Sequence, residues 1–297
     1  MYCSSTPFSF VKGRFALKPL TNPGVKLFCV QANCPTSCID TGSCHKCLCF
    51  LDFTDEVKNI GIAAKHKILY NKTINSLNIY QRGVSIMKNI YMYVQDTMAD
   101  LEHGYLMHAL SLQDMLGEPK VKLLTVSKGK NSIKTAGGMT IVPDFNLYDI
   151  DTANTDALLL IGGDSWLNNE QDDVLELASK LLQENILVGA ICGATLGLAE
   201  KGILDNRYHT SNASFFLSQM SQHYQGHGYY KDEIAVQDGK LITASSAGSL
   251  LWAKFIVEEL GLYSKTTVEA WFNYFSTGDP QYYGEMMNSL EKDALES

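Results

Sequence analysis

Two strand-length apolar runs, each ending in very small residues, constrain this chain most. Residues 157–161 are continuously apolar and lead into Gly162-Gly163; residues 186–191 are continuously apolar and lead into Cys192, Gly193 and Ala194. A strand apolar on both faces is buried on both, the condition of a parallel strand covered by helices. The surrounding sequence alternates accordingly. Strands are predicted over 89–94, 121–126, 157–161, 186–191 and 241–244, and helices over 100–116, 172–183 and 249–260. Residues 133–142, with Gly137-Gly138 in the middle, read as a hairpin-like excursion, and 263–297 as helical with Pro280 as a break or a helix start. Strands alternating with helices predict an α/β sandwich around a mostly parallel sheet.

The pattern starts at Met87, and composition changes there too. Seven of the eight cysteines lie within the first 49 residues, and only Cys192 lies beyond them. Residues 1–86 carry ten Lys/Arg against four Asp/Glu; residues 87–297 carry fourteen against twenty-eight. Three regions follow: a Cys-rich extension (1–86) outside the fold, the patterned domain (87–262) and a helical C-terminal extension (263–297). In codons, Gln81-Arg82-Gly83 can be a purine run of the kind that recruits bacterial ribosomes, a few codons before Met87. The expectation is that 1–86 is translated upstream sequence, excluded from fold reasoning. Cys44, His45, Cys47 and Cys49 crowd soft ligands together, but Cys29, Cys34 and Cys38 supply no second pair at the spacing of a usual zinc site. A disulfide scaffold fits poorly as well, since seven is odd and no secretion signal is visible.

No apolar run approaches the roughly 18 residues that would span a bilayer. The expected location is the cytoplasm, with no membrane partner. A net charge of −8 argues against nucleic acid, which needs a basic face. No phosphate loop and no His-rich cluster is present in the patterned part, so neither cofactor nor metal is expected.

In parallel α/β folds, ligands bind outside the carboxyl ends of the strands. The segment after Val94 leading to Glu102, the Gly162-Gly163 pair and Cys192 all fall there. A strand that runs straight into a helix needs a tight, strained turn that exposes the side chain at its tip. The following helix brings unpaired N–H groups and a positive dipole end to the sulfur, both of which lower a thiol's pKa. The backbone N–H groups of Gly163 and Gly193 are placed to stabilise an oxyanion. Cys192 is therefore the candidate nucleophile, Glu102 a carboxyl that tunes it, and His209 a candidate base or orienting group. His103, His108, His223 and His227 read as surface or core residues.

The stretches "VQDTMADLE" (94–102), "DALLLIGGDSW" (156–166), "VGAICGATLGLAEKGILDNRYHTSN" (188–212) and "GKLITASSAGSLLWAKFIVEEL" (239–260) together resemble the ThiJ/PfpI family, within the class I glutamine amidotransferase-like superfamily. The resemblance implies a flavodoxin-like three-layer sandwich with a nucleophile elbow at Cys192. It implies Glu102 as the acidic partner of the thiol, Gly163 and Gly193 as oxyanion-type donors, His209 near the cysteine, and a homodimer. Two departures narrow the activity. Protease-like members carry a histidine directly after the nucleophile, where this chain has Gly193. Glutaminase domains carry a late His-x-Glu pair, where this chain has His223-x-Gln225 and His227-x-Tyr229. A protease of the usual kind and a true glutaminase are both disfavoured.

Three functions follow. In the first, Cys192 attacks a small carbonyl or amide substrate, as a hydrolase, amidase or glyoxalase-like enzyme. In the second, Cys192 is the oxidisable group of a stress sensor, and no second cysteine beyond residue 49 resolves its sulfenic acid. In the third, the fold is a binding module without catalysis.

Overall fold

The structure, a computed structural model, describes residues 25–29, 49–53, 87–129 and 131–296. The chain divides into two units, Met1–Val84 and Ser85–Ser297. In the first, Val25–Cys29 (β1) and Cys49–Phe53 (β2) pair antiparallel, a ladder for which the sequence shows no clear alternation. The other readings of 1–86, in which zinc and disulfide frameworks are disfavoured and the segment is upstream sequence, fall mostly outside the described residues.

The second unit is a three-layer, flavodoxin-like α/β sandwich. In chain order come Lys88–Tyr93 (β3), Gly104–Ser111 (α1), Val121–Ser127 (β4), Ile133–Lys134 (β5), Thr140–Ile141 (β6), Phe145–Asn146 (β7), Ala157–Leu160 (β8), Asp172–Gln183 (α2), Leu187–Ile191 (β9), Gly193–Glu200 (α3), Ser214–Met220 (α4), Ala235–Asp238 (β10), Leu241–Ala244 (β11), Ser249–Leu260 (α5), Lys265–Thr277 (α6) and Pro280–Glu296 (α7). The central sheet has seven strands in the order β10-β11-β9-β8-β3-β4-β7. Every pairing in it is parallel except that of β10, an antiparallel edge strand on β11. The predicted excursion at 133–142 is the small antiparallel pair β5–β6.

Period-two alternation explains the two cores. On β3 and the residue after it, Ile90, Met92 and Val94 face one layer, while Tyr91 and Tyr93 face the other. The first layer gathers Leu106 of α1 and Trp252 and Ile256 of α5. The second gathers Val174 and Leu181 of α2 and Leu196 and Leu198 of α3. The C-terminal helices belong to the first layer. Val268 and Trp271 of α6 and Met286 and Leu290 of α7 are buried in the same core as Ile90. Asp293 ties α7 to the start of α6, accepting from Ser264 N at 2.9 Å and Thr267 Oγ1 at 2.8 Å. Pro280 is the first residue of α7, where its fixed φ and missing N–H suit a helix start.

Helix α1 begins at Gly104, later than the predicted residue 100. Tertiary hydrogen bonds hold the preceding residues out of the helix: Asp100 Oδ2 accepts from Gly137 N at 2.6 Å, and Glu102 Oε2 from Gly162 N at 2.7 Å. Residues 112–116 then tighten into a 3₁₀ turn. Strands β7 and β10 and helix α4 were not legible in the pattern; α4 buries only Leu217 and so carries no periodic signal.

Candidate active site

Strand β9 ends at Ile191 and α3 starts at Gly193, which leaves Cys192 alone to make the turn. Its backbone sits at φ 77° and ψ −114°. A left-handed conformation in a residue with a Cβ stores about 1–3 kcal/mol and persists only where its surroundings impose it. The neighbouring strand supplies part of that constraint, because Cys192 N donates to Ala244 O of β11 at 2.9 Å. The first turn of α3 supplies the rest. Thr195 N and Thr195 Oγ1 donate to Cys192 O at 3.1 and 2.6 Å, and Thr195 Oγ1 also meets Ser211 Oγ at 2.7 Å.

Glu102 arrives from the segment between β3 and α1. That segment is fastened at several points: Thr97 N donates to Lys134 O, Ala99 N to Gly162 O and Ala136 N to Met98 O, all at 2.8–2.9 Å. Thr97 itself has φ 65°. The residue is 1% exposed, and its carboxyl accepts from Gly162 N and lies beside the Cys192 side chain. A Cβ at position 162 would stand 2.5 Å from Glu102 Oε2 and 2.7 Å from Cys192 Cβ, so only glycine lets these groups meet. Position 193 is as confined, its Cβ direction ending 2.8 Å from Gly163 O. The Gly162-Gly163 and Gly193-Ala194 pairs thus bring two strand ends into contact around the sulfur.

Asn212 closes the other side. Its Nδ2 donates to Cys192 Sγ at 3.1 Å, and its Oδ1 accepts from Ser246 N at 2.9 Å. Sequence reasoning missed both Asn212 and Ser246. The stretch "HTSN" shows the asparagine, but no spacing rule brings a residue twenty positions away back to the elbow.

Charge at the site runs against the expectation of a lowered thiol pKa. Burial first, then the neighbouring Glu102 carboxylate, push the Cys192 thiol up to about 11, outweighing the favourable bonds from Asn212 and Gly193 N. Burial likewise raises the Glu102 carboxyl above the usual carboxylate range, against the bonds from Cys192 and Gly162. The two rises are linked. A Glu102 that holds a proton no longer repels a thiolate and donates its O–H to the sulfur. The helix end supplies Gly193 N, but desolvation sets the sign.

The structure brings Cys192, Glu102, Gly163 and Gly193 together and engages His209 elsewhere. The His209 side chain is fully buried, with Nδ1 at 2.7 Å from Arg207 O and Nε2 at 2.8 Å from Tyr224 Oη. Its ring packs edge-on against Tyr224 and Tyr230. Both ring nitrogens are taken, and burial holds the imidazole neutral. Of the other histidines, His108 accepts from Trp271 Nε1 at 3.1 Å, and His223 Nδ1 meets Glu200 at 2.6 Å. Among the described residues no group of three or more His, Cys, Asp and Glu is placed to hold a metal ion, and no helix is long and apolar enough to cross a membrane.

A strained cysteine between a parallel strand and a helix, backed by a buried carboxyl, defines a class of protein as much as the sheet order does. The sequence profile of the DJ-1/PfpI family matches residues 88–259, and the chain belongs to that family. It is 33% identical over 207 residues to the "Uncharacterized protease YoaZ" of Bacillus subtilis (strain 168), covering 69% of this chain and 99% of that one. It is 26% identical over 149 residues to the "Glutathione-independent glyoxalase DJR-1.2" of Caenorhabditis elegans, covering 50% of this chain and 77% of that one. Among solved structures it is similar to the thiJ/pfpI family protein from Bacillus anthracis, with a TM-score of 0.66, 33% identity, and coverage of 69% of this chain and 98% of that one.

Proposed function

We propose that this protein is an enzyme in which Cys192 adds to a small uncharged carbonyl compound, with 2-oxoaldehydes as the substrate class. The observation that carries this reading is the buried Glu102 carboxyl beside the Cys192 side chain at a strained elbow. The thiol proton passes to Glu102 as sulfur attacks the aldehyde carbon. The resulting oxyanion is met by the N–H groups of Gly163 and Gly193 and takes up a proton, giving a hemithioacetal. Glu102 then carries the proton that moves from the former aldehyde carbon to the adjacent ketone carbon, while the hydroxyl proton of the hemithioacetal passes to the ketone oxygen, giving a thioester. Water cleaves the thioester so formed and releases a 2-hydroxy acid and the free thiol. The sum is one aldehyde and one water for one acid, with no external oxidant.

Two features favour a carbonyl over an amide or peptide. An amine leaving group needs an acid on the substrate side, and the group there is the amide of Asn212, which transfers no proton. The buried imidazole of His209 is already engaged by Arg207 and Tyr224. Among the described residues no Lys or Arg hydrogen-bonds Cys192, Glu102 or Asn212, which suits an uncharged substrate better than a carboxylate or phosphate. The name of the glyoxalase relative agrees with this chemistry. The name of the protease relative points to peptide cleavage, for which the site lacks an available imidazole.

The full-length chain incubated separately with a 2-oxoaldehyde, a simple amide, a peptide and peroxide tests the reading. The expected result is the 2-hydroxy acid from the first, with no release from the amide or peptide. Stable gain of two oxygens at Cys192 from peroxide without aldehyde turnover would replace the enzyme by a redox sensor, and inertness to all four by a binding module.

A further inference from the structure

We propose that Asn212 is the donor that holds and stabilises the Cys192 thiolate on its open side, in place of a titrating imidazole. The assignment rests on the reading of Cys192 as nucleophile and adds a residue to it. The orientation of the amide follows from its partners. Ser246 N can only donate, so it must face the side-chain oxygen, and the NH₂ group is left to face the sulfur. The residues before Asn212 are held as firmly as the amide. Thr210 N donates to Thr243 Oγ1 at 2.9 Å, Thr210 Oγ1 to Glu233 O at 2.6 Å, and Ser211 Oγ meets Thr195 Oγ1 at 2.7 Å. Strand β11 and the turn after it therefore place both halves of the pair, Cys192 through Ala244 O and Asn212 through Ser246 N.

The two polar side chains beside Cys192 differ in kind. Glu102 is sealed in and titrates; Asn212 is exposed and donates at every pH. The reactivity of the sulfur then follows the shared proton of the Glu102–Cys192 pair alone and shows no ionisation near pH 6.5, where an imidazole would act. An amide at the open side also meets the carbonyl oxygen of an incoming substrate without competing for its proton.

The test is the pH dependence of iodoacetamide alkylation in the full-length chain, read on the Cys192-containing peptide by mass spectrometry. In Asn212→Ala the midpoint moves to higher pH, and alkylation at pH 7 slows about tenfold, the effect of one lost hydrogen bond to a charged group. Asn212→Asp moves the midpoint further in the same direction, because a carboxylate replaces a donor. Asn212→His adds a new inflection near pH 6.5. A lost fold lowers the melting temperature and exposes the thiol, which speeds alkylation, so it is not mistaken for the predicted slowing. Unmoved midpoints in the Ala and Asp variants overturn the assignment. Aldehyde turnover by the native chain with unmoved midpoints removes Asn212 alone; moved midpoints with no turnover leave Asn212 standing and remove the proposed reaction.

Discussion

At the scale of single residues, the site depends on two side chains held in conditions each would avoid alone. Cys192 occupies a backbone conformation that favours glycine, and Glu102 is buried at 1% exposure. Each makes a measurable prediction. Cys192→Gly relieves the positive φ, so it melts at or above Cys192→Ala although glycine gains more freedom on unfolding. Scanning calorimetry of the two variants decides this. For Glu102 the sign is set by the raised carboxyl pKa. The folded chain binds a proton that the unfolded chain releases above about pH 4.3. The stability Glu102 contributes is thus complete below that pH and is lost as pH rises through the higher folded value. Glu102→Gln removes this loss, so its melting temperature falls less than that of the native chain as pH is raised from about 4 to about 8. Equal pH dependence in the two proteins would contradict a proton held on Glu102. The raised thiol adds a second loss of the same sign at alkaline pH, approaching 11.

At the scale of elements, strand ends and small residues make the site, and this was the most legible part of the sequence. The apolar runs before Gly162 and Cys192 announce strands by their chemistry alone, and the structure places them side by side as β8 and β9. Helix boundaries were less legible. Residues 100–103 match a helix period, yet hydrogen bonds from Gly137 and Gly162 hold their side chains in a turn, and tertiary contacts of that kind leave no trace in local spacing. The same limit hid Asn212, and it let helix-dipole reasoning alone predict a lowered thiol pKa where burial raises it. The Gly162 contact gives an element-scale prediction. Gly162→Ala forces a methyl into Glu102 and Cys192, destabilises the fold by about 1–3 kcal/mol and slows Cys192-dependent turnover at least tenfold. Urea unfolding and steady-state rates on the same preparation measure both. A native-like rate would show that the carboxyl need not lie against the sulfur.

At the scale of the molecule, residues 263–296 are part of the structure that carries the site. The sequence reads 263–297 as a helical C-terminal extension that follows the stretches resembling the family. Helices α6 and α7 pack into the first-layer core. Trp271 is 2% exposed in the same core as Ile90 and Trp252, its indole N–H donates to His108 of α1, and Tyr263 Oη donates to Ala109 O at 2.6 Å. Helix α1 follows directly on the segment that carries Glu102, so these contacts brace the same layer. Trp271→Ala is expected to cost about 3–5 kcal/mol, read as a lower urea midpoint with an unchanged slope.

The proposed role of the Cys192 sulfur is that of nucleophile toward a small carbonyl. Its most direct test is the rate of 2-hydroxy acid formation from a 2-oxoaldehyde by the full-length chain and by Cys192→Ser at equal concentration. The hydroxyl is nearly the size of the thiol and far less acidic, so the elbow, Glu102 and Asn212 stay in place while the nucleophile is lost. Steady acid production is expected from the native chain, with a fall of at least about a thousandfold in the variant. Equal rates in the two proteins would contradict that role.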